Sequence, residues 1–496
     1  MIKMKNKAIV ILLGLLIAGC HFLYGQKSIS LEETISLAQQ QSLDAYKAKN
    51  VFLADYWSYK SYRSQQKPHL SWYLSPVTYN RDIIARYDFV NNVEVYRQQQ
   101  TLNSYSSLSL SQNIAATGGN IYIETDINRL QNFGVQDVTS WSTTPFLIGF
   151  SQPLFGYNRF KWQKKISPLK YEKAKQEYIQ TIQNLNANVV ALYFNLLFAN
   201  EQLSIATKNV ESSKKLYEIG QKRFEIASIQ HEELLDLELS KFNAEIELSQ
   251  AEKAFQKAEF SLRSFLGFTD KQTIQPVIPE ILINLKIDNK TAVELAKTLN
   301  PQMFEFKQRL IEAESTLEAA KKDEKFSAKL SASYGLNQSA EKFKNAYEKP
   351  LNQQTVGLSV TIPLLDWGDR RGQREMAQNQ REVVEIEVKQ AKIDFEQEVA
   401  LKVIDFNLQA QVVESARQAK ELAQQSYELT QTRFVLGNAD VLKLTSSMKA
   451  MQSASEKYIS SLAAYWQYFY EVQQLTLYDF VNQKSLSANF DEMIKK

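Results

Sequence analysis

The chain has 496 residues, 44% of them hydrophobic and 23% charged, and a net charge of +3. That near-balance gives no electrostatic case for a nucleic-acid partner. One cysteine, Cys20, leaves no intrachain disulfide and no thiolate metal cluster.

Gly (15) and Pro (10) fall well below their usual shares of about 7% and 5%. Long helices should therefore dominate, because these two residues destabilise helix interiors. The glycines are also unevenly placed: nine lie in two windows, 118–156 and 335–372. Two turn-rich, non-helical regions are expected inside a helical chain. His21, His69 and His231 are scattered without ligand spacing.

Lys3, Lys5 and Lys7 precede an apolar run from Ala8 to Ala18. A basic stretch before an apolar run of this length reads as an export signal, too short to span a bilayer. Ile17-Ala18-Gly19-Cys20 resembles a bacterial lipobox, which would end the signal at residues 1–19 and make Cys20 a lipidation site. The alternative is ordinary cleavage after Gly25, giving a signal of residues 1–25, although Leu23 is large for its place in such a site. Either reading takes the protein out of the cytoplasm. No later run of about 18 apolar residues suggests a transmembrane helix.

The rest of the chain repeats itself. Leu31–Leu43 (LEETISLAQQQSL) parallels Lys290–Pro301 (KTAVELAKTLNP), and Lys67–Leu74 parallels Ala328–Tyr334. Ile148–Phe155 (IGFSQPLF) parallels Val356–Leu365 (VGLSVTIPLL), and Arg223-Phe224 parallels Arg433-Phe434. From Pro153 to Arg223 is 70 residues, as is Pro363 to Arg433. As helix, that length spans about 105 Å. Leu185, Val189, Leu192, Leu196, Ala199 and Leu203 open a seam that continues by alternate steps of three and four to Phe224. Such a heptad seam is a coiled-coil pattern. A plain cytoskeletal coiled coil would share it, but would not be interrupted by strands.

The strands alternate. Val356, Leu358, Val360 and Ile362 oppose Thr355, Gly357, Ser359 and Thr361. Ile121, Ile123 and Ile127 oppose Tyr122, Glu124, Asp126 and Asn128. A lipid-facing barrel strand needs this period of two over about 9–11 residues, and a half-buried soluble sheet shows it as well. The export signal favours the barrel. Each half reads helix, strand, loop, strand, helix. Two strands per half cannot close a barrel, and open edges are not tolerated in lipid, so copies must join.

These features together resemble the TolC family of outer-membrane efflux proteins over about residues 28–481. The resemblance is carried by the openings at Leu31–Leu43 and Lys290–Pro301, by GFSQPLFGYNR and GLSVTIPLLDWGDRR, and by RFEIASIQHEELL and RFVLGNADVL. It implies a mainly α fold with a transmembrane β-barrel. Residues 28–275 and 285–481 would be two repeats, with 482–496 as a polar, poorly ordered tail. It implies a homotrimer in the outer membrane with a coiled-coil tunnel extending into the periplasm. The barrel would have about 12 strands. A further hairpin at 104–113 and 120–128, around Thr117-Gly118-Gly119, would raise this to about 18 if it crosses the membrane. The alternative is an extracellular hairpin. Polar stretches 81–103 and 131–144 are expected to be extracellular loops.

The resemblance also implies function: an exit duct for small-molecule efflux, working with a periplasmic adaptor and an inner-membrane pump, among outer-membrane lipid. A type I protein-secretion exit belongs to the same class. A non-transporting coiled-coil periplasmic lipoprotein scaffold is the reading from another class. Adaptor docking is expected at the tips holding Arg223, Phe224, Ala227 and Leu235, and Arg433, Phe434, Gly437 and Leu442. Asp440 and Lys443 match the family's tunnel constriction. Only Asp440 is acidic, and the segment between Gly437 and Asp440 is three residues short, which removes the place of a gate arginine. No cofactor or metal is expected. No nucleophile elbow or phosphate loop is present, and His231-Glu232-Glu233 lacks the second histidine of a zinc helix, so no enzyme is expected.

Overall fold

The computed structural model describes residues 27–134, 137–268, 274–281 and 285–495. The export signal and Cys20 lie outside the described residues. The chain divides into two compact units: residues up to 51, 176–300 and 395 onward in one, and 52–175 and 301–394 in the other.

In chain order, β1 (Lys27–Ile29), α1 (Leu31–Gln41) and α2 (Leu43–Gln65) precede four strands: β2 (His69–Asp88), β3 (Val93–Ile114), β4 (Gly119–Phe133) and β5 (Val138–Leu154). Then come α3 (Arg159–Glu225), α4 (His231–Leu266) and β6 (Ile274–Pro276). The second copy follows: α5 (Asn289–Leu299), α6 (Pro301–Asp323), β7 (Ser327–Ala340), β8 (Leu351–Thr361), α7 (Asp369–Val435) and α8 (Val441–Thr476). β9 (Tyr478–Asp479), β10 (Lys484–Ser485) and α9 (Phe490–Lys495) end the chain.

The copies agree in length, helix by helix. α1 and α5 have 11 residues, α2 and α6 have 23. α3 and α7 have 67 residues, α4 and α8 have 36. The second copy trails the first by 258 residues before the sheet (Leu31 against Asn289) and by 210 after it (Arg159 against Asp369, His231 against Val441). The difference, 48, lies in the sheet, where the first copy carries two additional strands.

The break between each short helix pair is made locally. Ser42 and Asn300 both leave the helix in extended conformation, their N–H groups donating to Ala38 and Ala296 carbonyls. Pro301 accounts for the second break, because it disfavours helical geometry in the residue before it. In the first, the Ser42 Oγ accepts from the Ala45 N–H at 3.1 Å and caps α2.

In the helical unit, the core runs along the long helices. Tyr193, Leu196, Phe406, Leu462 and Tyr465 are fully buried. The seam is buried from Leu185 through Ser213 except for half-buried Leu192 and Leu203, but Phe224 at its end is exposed. One 18-residue window of α3 is apolar enough to cross a membrane, which corrects the expectation that no later segment would be. Half of that window is buried inside protein, as in a core helix. β1 pairs in parallel with β6. The Tyr193 hydroxyl donates to the Ile29 carbonyl at 3.0 Å, tying this small sheet to α3. Burial pushes the Tyr193 phenol up to about 12.

The tail is also ordered, contrary to expectation. β10 pairs with β9, and Phe490 packs edge-on against Tyr178 with ring centroids 6.0 Å apart.

The other unit holds a six-stranded antiparallel sheet in the order β2-β3-β4-β5-β7-β8. Four strands in the first copy and two in the second are both even numbers, so each copy enters and leaves the sheet at the same end. The first copy has four strands: the hairpin at 104–128 joins the sheet between β2 and β5, the first of the two placements considered for it. One expectation is corrected. The polar stretches 81–103 and 131–144 are mostly strand: Arg81 pairs with Gln100 and Asp88 with Val93, leaving a short turn, and β4 and β5 are joined by only 134–137. Polarity there signals solvent on the side chains, while the backbone groups are satisfied by the ladder.

Candidate functional site: the sheet face and the helix tips

The strand register places apolar side chains in rows across the sheet. Leu70 lies beside Leu110, Leu110 beside Ile123, Ile123 beside Ile148, and Ile148 beside Tyr334. Trp72 pairs with Leu108, Phe150 with Ala332, and Ala332 with Val356. These residues share a face because side chains alternate along a strand. The face is open: Trp72 is 68% exposed and Val356 78%. Contiguous apolar surface of this extent marks contact with lipid or another protein.

The other face is polar. Ser71, Ser109 and Glu124 form one row, and Ser107 and Asp126 lie in the next. Gly149 sits under the Tyr122 ring, where an added Cβ would come within 2.5 Å of ring atoms. Among the described residues the sheet is not closed: β2 and β8 each pair on one side only.

The helix tips lie in the helical unit. α3 and α7 end in the same turn. Ala227 N–H donates to the Phe224 carbonyl at 2.9 Å and Ser228 N–H to Arg223 at 2.7 Å. Gly437 N–H donates to Phe434 at 3.0 Å and Asn438 N–H to Arg433 at 2.8 Å. Both turns need a left-handed residue, Ala227 at φ 56° and Gly437 at φ 83°. The following helices are capped differently. In the first, Gln230 N–H donates to Glu233 Oε2 at 3.1 Å. In the second, Asp440 Oδ1 accepts from the Lys443 N–H at 2.7 Å.

The candidate constriction residue Asp440 is thus an exposed helix N-cap, and the Lys443 side chain is exposed beside it. The tip residues are brought together unevenly. Arg223 Nη2 donates to the carbonyls of Phe434 at 3.1 Å and Val435 at 3.2 Å. Its guanidinium lies 5.5 Å from the centre of the Phe434 ring, within cation–π range. Phe434 is 4% exposed, in a cluster with Leu237, Tyr427, Leu444 and Met451. Phe224, its counterpart, is 40% exposed and touches His231 with ring centroids 5.5 Å apart. Leu235 and Leu442 also point to solvent, at 50% and 79%. Sequence reasoning named Arg223 and Phe434 but missed that one clamps the other. The repeated Arg-Phe pair marks both partners, but nothing in it records that they meet.

A family model described as outer membrane efflux protein matches residues 101–268 and 292–476. No match is found among curated proteins. Several solved structures share the fold. The Campylobacter jejuni CmeC outer membrane channel is 14% identical, with a TM-score of 0.66 over 94% of this chain and 88% of its own. The outer membrane protein VceC from Vibrio cholerae is 13% identical, with a TM-score of 0.62 over 92% and 97%. The open-state MtrE outer membrane channel of Neisseria gonorrhoeae is 13% identical, with a TM-score of 0.60 over 90% and 88%.

Proposed function

Given that this chain belongs to the outer membrane efflux protein family, and so resides in the outer membrane, we propose that it is one protomer of a trimeric exit duct for small molecules. The observation that carries the reading is the open six-stranded sheet with an apolar face running across it. Lipid tolerates no unpaired strand edge. Joining β8 of one copy to β2 of the next satisfies both edges, and three copies give a closed barrel of about 18 strands with its polar face inward. A crossing strand needs about 9–11 residues. β2 and β3, at 20 and 22, are long enough to continue beyond the bilayer on the outer side.

The long helices support a tunnel reaching into the periplasm, since 67 residues of helix span about 100 Å. In this reading residues 28–275 and 285–481 are the two repeats, and the duct performs no chemistry. Exposed Leu235 and Leu442 offer apolar contacts to a periplasmic adaptor at the tips, and an inner-membrane pump supplies the energy. Opening is a change of helix packing at the tips.

Detergent-extracted outer membranes imaged by negative stain provide the test. Threefold particles longer than about 100 Å are expected. Monomers or dimers that float free of the outer membrane would overturn the duct and favour a periplasmic scaffold.

A further inference from the structure

The two copies superpose in sequence at a constant offset of 210 residues from Arg159 to Leu266. Every position of the first copy in this range therefore has a counterpart in the second, and a contact that the first copy makes on the second can recur between a second copy and a first where the residue types agree. One such contact is the Arg223 clamp. Its counterpart donor is Arg433, and the counterpart acceptors are the carbonyls of Phe224 and Glu225.

Within one chain this counterpart is unmade. Arg433 is exposed in the last turn of α7, and among the described residues its side chain has no hydrogen bond or ion pair. Phe224 is 40% exposed where Phe434 is 4% exposed. The same chemistry is thus satisfied on one side of the tip and open on the other. The backbone turns that present the carbonyls are alike in both copies, so the open side already has the acceptor geometry of the filled one.

We propose that Arg433 of one copy clamps the first tip of a second copy of this chain, donating to the carbonyls of Phe224 and Glu225 and covering the Phe224 ring. The occupant is the same chain because the donor and acceptor sets, turn for turn, are those already matched internally. The clamp rests on the trimer proposed above. Repeated around three copies, six arginine contacts close a ring at the tips: three within chains through Arg223 and three between chains through Arg433. A guanidinium fork on helix C-terminal carbonyls is favourable because those groups lack helical partners and carry partial negative charge.

The test uses the double variant Arg433→Cys, Glu225→Cys in the full chain, treated in detergent with a short bifunctional maleimide. Covalent dimers and trimers on a denaturing gel are expected, and neither single variant should give them. Arg223→Cys with Val435→Cys is the internal control, cross-linking within one chain. In parallel, Arg433→Ala should lower the temperature at which the threefold particle dissociates, and Arg433→Lys should recover part of the loss. Threefold particles that give no interchain product, or that dissociate as the parent does with Arg433→Ala, would overturn the clamp while leaving the duct intact. Particles that are never threefold would overturn both.

Discussion

At residue scale, Asp440 caps α8 through its Oδ1, and we propose for its charge a second role, at a tunnel constriction. Two substitutions separate these roles. Asp440→Ala removes cap and charge and should cost about 1 kcal/mol in helical stability. Asp440→Asn keeps a good cap and removes only the charge. If three Asp440 carboxylates line a narrow opening, Asp440→Asn reduces cation block of single-channel current with little change in melting temperature. Unchanged block in both variants would leave Asp440 as a cap alone. Tyr193 makes a second residue-scale prediction. Its phenol is raised from its ordinary value to about 12 by burial, so ionisation is easier in the unfolded chain. Stability from this group is full below pH 10 and is lost as the pH rises toward 12, by roughly 2–3 kcal/mol. Tyr193→Phe should flatten that alkaline decline in a urea titration, at a neutral-pH cost of about 1–2 kcal/mol for the lost hydrogen bond.

At the scale of elements, the two tips differ in how well their turns suit the residue present. Ala227 holds φ 56° where Gly437 holds φ 83°, and a Cβ in that region costs an L-residue about 1–2 kcal/mol. Ala227→Gly should therefore stabilise by about 0.5–1 kcal/mol, and Gly437→Ala should destabilise by about 1 kcal/mol, both read from thermal melts. A Cβ at Gly437 would lie 3.6 Å from Arg223 Nη2, an ordinary contact, so the loss would come from the backbone and not from a clash. The long helices and the apolar alternation of β4 and β8 were legible in the sequence, because periodicity reports which face is apolar. The strand character of 81–103 was not. Gln98, Gln99, Gln100 and Asn103 look like loop residues, and only the ladder to β2 shows their backbone to be paired. The Arg223 clamp was invisible for a different reason. Its donor and acceptors are separated by 211 and 212 residues, and no local pattern records that proximity.

At the scale of the whole molecule, the apolar sheet face sets the strongest expectation. Leu358, 63% exposed and on the row of Leu330, would face hydrocarbon in the closed barrel. Leu358→Arg should then cost about 2–4 kcal/mol of membrane-embedded stability if it lies near the midplane, seen as lower recovery in the outer-membrane fraction. Ser359→Arg, on the neighbouring polar face, should be tolerated. Equal recovery of both variants would argue against a lipid contact. The mainly helical, duplicated plan was readable from the repeated segments. The additional hairpin was legible too, from its alternation around Thr117-Gly118-Gly119, but the length of its strands was not, because β3 and β4 run on into polar sequence.

Equal helix lengths in the two copies amount to a matched pair of rulers. Removing seven residues from α3 alone would preserve its heptad phase yet draw its tip back by about 10 Å. Arg223 would then miss the carbonyls it holds on α7. Evolution or an engineer can alter the reach of such a protein only by cutting α3, α4, α7 and α8 together, in multiples of the heptad. A duplicated architecture of this kind is therefore free to drift in sequence while being nearly frozen in length.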